Sequence, residues 1–525
     1  MIKRIVCVAL CLILTFTFAG CGKDKNKKPQ KPNSAQSDTK LKDISMLYCR
    51  ADTFNPYTAA SEINRNLCEL LYEPLVKTDN SYSPVKRIAK SVSLGDKSCT
   101  VEIKDCYFSD GAKLTANDVI YSYNLAKSST TSYAAQLYEV TKAEATSEKT
   151  ILFTLNVNDP YFENLLDFPI IKAESEKIAD SDGVLQPPIG SGRYILSSDK
   201  SYLYLNENFY GKKGKIKKIS LIDTPDQDAV SHYVEVGAVS FYYAELGSGN
   251  IVRMSGKKAE VNLNNLVYMG INDSYGLLSN RNLRYALSSA INRASVCSNS
   301  YHNNATPASG FYNPVFGEVS AVQSLSNTAN LKITIENLDK IGYNSVDNMG
   351  YRVNKSGNRL SFRLLVNSEN RSRVLAANEI ASHLKAAGIE ITVVEKPYAQ
   401  YIADLASGNF QLYLGEINVL QNMDLRQLVV KGGAAAYGVG LKEPEKITDE
   451  NGKEIPAPDV VANAINAFYN KEISISDVAG ILLTEMPQIP ICYRKALLFY
   501  NEAFSGVKTS ESDIYFNIES YNYKN

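Results

Sequence analysis

The chain of 525 residues contains no tryptophan and only three histidines, His232, His302 and His383. The histidines lie far apart, and none has an HxxxH or CxxC partner, so no metal site built from His and Cys is expected. There is no G-x-S-x-G elbow. Gly256-Lys257 lacks both the upstream glycine and the Ser/Thr of a phosphate loop, and Gly190-x-Gly192 lacks the third glycine of a dinucleotide turn. Carboxylates are spread so evenly that no pair stands out as an acid–base couple. These gaps argue against an enzyme and against any cofactor. Charge of one sign is missing too: 56 basic residues balance 56 acidic ones, which leaves no footprint for nucleic acid. Cysteine is sparse, with nine in the whole chain, too few for a disulfide scaffold. Cys49, Cys68, Cys99, Cys106, Cys297 and Cys492 are read as buried free thiols, with a Cys99–Cys106 bridge as the alternative. Long apolar runs are absent except at the N-terminus, and 44% hydrophobic content over this length is enough for two or three cores.

The N-terminal run points to export. Lys3 and Arg4 precede the apolar segment Ile5 to Phe18, and Ala19-Gly20 stands before Cys21. The segment is shorter than the about 20 residues a spanning helix needs. The order F-A-G-C resembles a lipoprotein cleavage box, with Phe18 where leucine is usual. Residues 1–20 are therefore expected to be a signal peptide, and Cys21 the lipidated first residue of the mature chain. Stable anchoring takes two acyl chains, because one holds only marginally. Residues 21–42 are rich in Lys, Pro, Gln and Asn and read as a solvated tether.

The most informative stretch is Ser98 to Lys127. Val101 and Ile103 alternate with Thr100, Glu102 and Lys104 as in a strand. Ser109-Asp110-Gly111 breaks it, with Gly111 suited to a positive φ. Thr115 then caps a helix, Asp118 completes an acidic capping box, and Val119, Ile120, Tyr123 and Ala126 share one face. The series V-E-I-K-D, F-S-D-G, L-T-A-N-D-V resembles the signature of the family 5 extracellular solute-binding proteins, the oligopeptide- and dipeptide-binding receptors of bacterial ABC importers. Other stretches extend the resemblance from about Ser45 to Lys508. They are Phe54-Asn55-Pro56; a helix over Asn66 to Lys77; the turn Pro187 to Tyr194, with Ser191 and Arg193 in place of Thr and Pro; Leu203 to Tyr210; the helix Asn280 to Arg293; and the returning strand Pro487 to Tyr500. Leu360 to Val366, Arg373 to Ala387 and Glu390 to Val394 form a βαβ unit, which predicts a parallel sheet. Lys442 to Pro458 reads as a polar loop.

The resemblance implies an α/β, two-lobed periplasmic-binding-protein type II fold (cluster C) with an extra subdomain in lobe I. The boundaries it implies are lobe I over 43–265 with the subdomain near 75–210, lobe II over 266–485, and a return to lobe I over 486–525. It implies a monomeric, extracytoplasmic receptor, lipid-anchored to the outer face of the cell membrane, that delivers peptides to an ABC permease and its ATPase. In peptide-binding members a lobe II aspartate pairs with the ligand's α-ammonium, within a G-W-x-x-D-x-x-D-P run. Here Tyr413 to Asp424 occupies that place, without the Trp or the first Asp. Asp424 aligns with the later D-P acid rather than with the ammonium anchor, Glu416 is the nearest alternative carboxylate and Asn418 a neutral one; Tyr268, Tyr413 and Tyr493 are the aromatic candidates for ligand contact, and all six are candidate cleft residues. Arg50 and Asp52 are candidates at the cleft mouth. The lost acid leaves open a different cargo (a sugar, a metal chelate, a polyamine) or a surface signalling or adhesion receptor without transport.

Overall fold

A computed structural model describes residues 43–245, 254–442, 444, 446–448 and 453–524. The expected signal peptide, the expected tether and Cys21 lie outside the described residues. Residues 41–525 form one compact unit containing two large hydrophobic cores.

The first core gathers Ile44 to Leu221, then Phe241, and finally Leu498 to Tyr521. The strand Ser45–Tyr48 runs parallel to Lys218–Asp223, and Tyr202–Leu205 and Tyr194–Leu196 extend that sheet antiparallel. A separate antiparallel sheet orders Ala89–Gly95, Ser98–Ile103, Thr150–Leu155 and Val140–Ser147. The Ser98–Lys127 stretch sits here as strand Ser98–Ile103 and helix Ala116–Ser128. The Asp118 carboxylate accepts from the Thr115 N–H at 2.9 Å and from its hydroxyl at 2.8 Å. Gly111 takes φ +86°. Val119, Tyr123 and Ala126 are buried and Ile120 is half-buried.

The second core gathers Leu266 to Tyr493, joined by Tyr82. Its sheet is ordered Phe241–Glu245, Ile489–Tyr500, Lys257–Ile271, Leu412–Asn418, Ser361–Asn367, Glu390–Lys396, with Ala305–Pro307 beside Ile489–Tyr500. The predicted βαβ unit is present: Ser361–Asn367 and Glu390–Lys396 pair in parallel around helix Arg371–Ala386. The sheet as a whole is mixed, because the long strands Lys257–Ile271 and Ile489–Tyr500 pair antiparallel. Those two strands carry the chain between the cores.

Two local expectations are corrected. The helix read over Asn66 to Lys77 spans Glu62–Leu71: Ser61 caps it at 3.2 Å to the Asn64 N–H, and Pro74, which cannot continue a helix, leaves Val76–Thr78 as a strand. The Lys442 to Pro458 loop contains a small hairpin, Lys446–Thr448 with Glu454–Pro456. The turn read over Pro187 to Tyr194 holds Gly190 and Gly192, neither at positive φ. They are needed because a Cβ on either would overlap the Leu71 carbonyl group.

Arg193, in the position where a proline is usual, is 1% exposed and ties three distant segments together. Its guanidinium lies 2.9 Å from Asp513, 3.4 Å from Glu73 and 3.7 Å from Glu519. Arg87 meets Glu73 at 2.7 Å and Lys77 meets Asp513 at 3.0 Å. Burial alone would raise both acids, but Arg87 and Arg193 hold Glu73 below its ordinary range, and Arg193 and Lys77 hold Asp513 far below. The C-terminal segment is thereby fastened to the first core by buried charge as well as by apolar packing.

Candidate functional site

A cavity of about 740 Å³ opens between segments of the first core and the strands that lead into the second. It falls within the ~300–1,000 Å³ of small-molecule sites. One wall begins at the loop after Ser45–Tyr48. Asp52 shapes this loop by accepting from the N–H groups of Thr53 (2.8 Å), Ala60 (3.2 Å) and Ser61 (2.7 Å). The helix that follows presents Glu62, Arg65, Asn66 and Glu69; the short helix Ser132–Gln136 adds Tyr133 and Gln136, and Asp167 and Pro169 complete the wall.

The opposite wall depends on an irregularity in a strand. Pairing between Lys257–Ile271 and Ile489–Tyr500 slips between Asn262 and Leu266. Bulges of this kind re-aim side chains beside sites. Here Leu263 and Asn265 line the cavity, together with Asn418, Leu420 and Gln421. The C-terminal return supplies Glu511, Ser512 and Ile514. Glu511 accepts from the Asn264 N–H at 3.2 and 3.1 Å and from Asn418 Nδ2 at 3.2 Å, so it braces the floor.

The lining carries five carboxylates, Glu62, Glu69, Asp167, Glu245 and Glu511, against two cations, Arg65 and Lys77. Lys77 is already engaged by Asp513. Burial pushes Asp167 up to about 7 despite the opposing charge of Lys77. It pushes Glu511 to about 7 despite its hydrogen bonds, and Glu69 well above its ordinary range.

Of the residues singled out from sequence, Asn418 lines this cavity and the others do not. Glu416 is spoken for: Arg494 lies at 2.7 Å, Arg373 at 3.7 Å, and Asn265 Nδ2 donates to it at 3.0 Å. Those arginines hold it below its ordinary range in spite of burial. Asp424 is clamped by Arg426 at 2.6 Å, which also reaches Glu139 at 2.7 Å. Tyr268 and Tyr413 are buried with their hydroxyls on the Ala435 carbonyl (3.0 and 2.9 Å). Tyr493 is buried and donates to the Phe311 carbonyl at 2.7 Å. Arg50 is exposed beside Asp223 at 3.5 Å.

The aromatic faces of the cavity come instead from Tyr57, Tyr72, Tyr133 and Tyr243. None lies at the strand ends from which contact residues were sought, and only the approach of the 57–72 and 130–136 segments in space makes them neighbours. The six remaining cysteines are all free, five buried and Cys49 half-buried. Among the described residues no group of three or more His, Cys, Asp or Glu is arranged to hold a metal ion, and no helix is long and apolar enough to cross a membrane.

Comparison with known proteins agrees with this architecture. The oligopeptide-binding protein AppA of Bacillus subtilis is 24% identical over 415 residues, covering 73% of this chain and 74% of its own. The structure of AppA from Bacillus subtilis with a nonapeptide superposes with a TM-score of 0.56 at 19% identity, covering 92% of this chain and 99% of that one. NikA from Brucella suis in complex with Fe(III)-EDTA gives a TM-score of 0.63 at 16% identity, over 92% of this chain and all of that one. Residues 83–424, more than half of the chain, match the family described as bacterial extracellular solute-binding proteins, family 5 Middle. The chain belongs to the family 5 bacterial extracellular solute-binding proteins.

Proposed function

We propose that this protein is the receptor of an ABC importer and captures peptides in the cavity between its two lobes. The observation that carries this reading is the cavity itself: about 740 Å³, walled by segments of the first core and by the strands that lead into the second, with tyrosines and short polar side chains around it. Asn265, Asn418, Thr130, Thr131 and Ser512 offer donors and acceptors suited to a peptide backbone. The excess of carboxylates in the lining disfavours an anionic chelate, so the peptide reading stands ahead of that alternative. Lobe I over 43–265, with a subdomain near 75–210 and the return 486–525, and lobe II over 266–485 are the units that close on the solute. A permease and its ATPase accept the loaded, monomeric receptor, which is held at the outer face of the membrane by a lipid on Cys21.

Mass spectrometry of solute co-purified with the protein, followed by calorimetry across a peptide library, tests the cargo. Peptides in the co-purified fraction and binding in the library are expected. A non-peptide solute that binds while every peptide fails refutes the peptide reading. For the anchor, Cys21→Ala is expected to release the protein from the membrane fraction; equal retention of the variant refutes lipidation.

A further inference from the structure

One charged stretch of the chain takes no part in the cavity. Lys212, Lys213, Lys215, Lys217 and Lys218 crowd five cations into seven residues, and from Lys200 to Ile222 the one acid is Glu207. The fold turns this run into a surface. Gly214 and Ile216 are buried and all five lysines are exposed, so inward and outward positions alternate through Lys213, Lys215 and Lys217. The inward residues pin the run. A Cβ on Gly214 would stand 3.0 Å from the Glu519 Cα, and the Ile216 carbonyl accepts from the Tyr194 hydroxyl at 3.1 Å. Lys213 pairs with Glu207 at 2.5 Å, whereas none of the other four makes an ion pair among the described residues. Lys215 donates to the Asn522 side chain at 2.5 Å, and the Lys218 ammonium lies 3.4 Å over the Tyr202 ring.

Two further observations bear on what this strip faces. Strand Ser45–Tyr48, the first among the described residues, runs parallel to Lys218–Asp223 with Ser45 opposite Ser220, and the Ser220 N–H donates to the Ile44 carbonyl at 2.8 Å. The chain N-terminal to residue 43 therefore joins the fold beside Lys218. Tyr204, opposite Lys218 on the neighbouring strand, is 43% exposed, and tyrosine favours the boundary between membrane and water. We propose that Lys212 to Lys218 is a docking strip for an anionic phospholipid surface, which holds the edge where the fold begins against the membrane. Each lysine near an anionic surface strengthens binding by about fivefold. The attraction fades within a Debye length, so it is reversible and reinforces an acyl anchor rather than replacing it. The anchor reading supplies the membrane that the strip meets; affinity for anionic lipid belongs to the folded chain itself.

Vesicle co-sedimentation tests the strip on the lipid-free chain from Gly22 onward, with phosphatidylcholine vesicles and with equimolar phosphatidylcholine and phosphatidylglycerol. The wild type is expected to prefer the phosphatidylglycerol vesicles by at least about tenfold. That preference should vanish between about 0.1 M and about 1 M salt, where the Debye length falls from ~10 to ~3 Å. The fourfold variant Lys212→Gln, Lys215→Gln, Lys217→Gln, Lys218→Gln is expected to weaken binding at least about tenfold. A charge-matched control, Lys332→Gln, Lys340→Gln, Lys355→Gln, Lys385→Gln, alters four exposed lysines elsewhere and should weaken it less than about twofold. All eight side chains are exposed, so both variants should melt with the wild type. Equal loss in the two variants, no preference for phosphatidylglycerol, or a preference that high salt leaves intact overturns the strip. Inorganic polyphosphate that binds through these lysines while both vesicles fail also overturns it, because the partner is then a soluble polyanion. The protein tested carries no lipid, so these outcomes are separate from the Cys21→Ala test, which alone decides the anchor.

Discussion

Asp513→Asn is the sharpest test of how the C-terminal return is held. Asp513 is fully buried between Arg193 at 2.9 Å and Lys77 at 3.0 Å. The asparagine keeps the shape and removes the charge. Three buried cations, Arg87, Arg193 and Lys77, then face Glu73 and the more distant Glu519. Removing one partner of a buried ion pair costs about 3–5 kcal/mol, because the charge left behind is neither solvated nor paired. Unfolding entropy is about 2.1 cal/mol/K per residue, so a cooperative unit of the size of residues 41–525 loses about 1 °C of Tm per kcal/mol. The expected fall is therefore about 3–5 °C by calorimetry. Adding Lys77→Met restores the charge balance and should recover at least half of that loss. Lys90→Ala, which removes an exposed pair with Glu102 at 2.7 Å, should leave Tm unchanged, since such pairs contribute little. Asp513→Asn melting within 1 °C of the wild type, or no recovery in the double variant, refutes the charge-balance argument.

Two further outcomes follow from the same structure. Gly192→Ala places a methyl against the Leu71 backbone, which cannot rotate away, so a loss of about 1–3 kcal/mol is expected by urea denaturation, the usual cost of overpacking; an unchanged midpoint contradicts the close approach. Stability should peak in mildly acidic solution when Tm is scanned against pH. Asp513 and Glu73 are depressed in the folded state, so their stabilisation holds above the unfolded carboxylate range near ~4 and is lost below it. Asp167 and Glu511 are raised to about 7, so the folded state binds their protons more tightly and stability falls as pH climbs from ~4 through 7. A profile that rises steadily to pH 8 contradicts this.

Local pattern in the sequence was enough for the elements and the family. The strand, turn and capped helix of Ser98–Lys127 follow from alternation, one glycine and one Thr–Asp pair, all within a few residues of one another. The strands flanking helix Arg371–Ala386 and the returning strand Ile489–Tyr500 are equally local in origin. The site is not local, and so was only partly legible. Whether a carboxylate is available depends on which arginine stands beside it. Glu416 and Asp424 are unremarkable acids in sequence, yet Arg494 and Arg426 neutralise them in the fold. Asp167 and Gln136 carry no motif at all. They stand out only because folding closes off their oxygens without supplying a donor. The bulge at Leu263–Asn265 likewise appears only when two strands separated by more than 200 residues are laid side by side. Caps and hydrophobic period pointed to the elements, and the resemblance of short motifs pointed to the class and the family, because those signals act between near neighbours. The charge, depth and lining of the cavity were decided only by tertiary structure, because burial and ion pairing are set by residues remote along the chain.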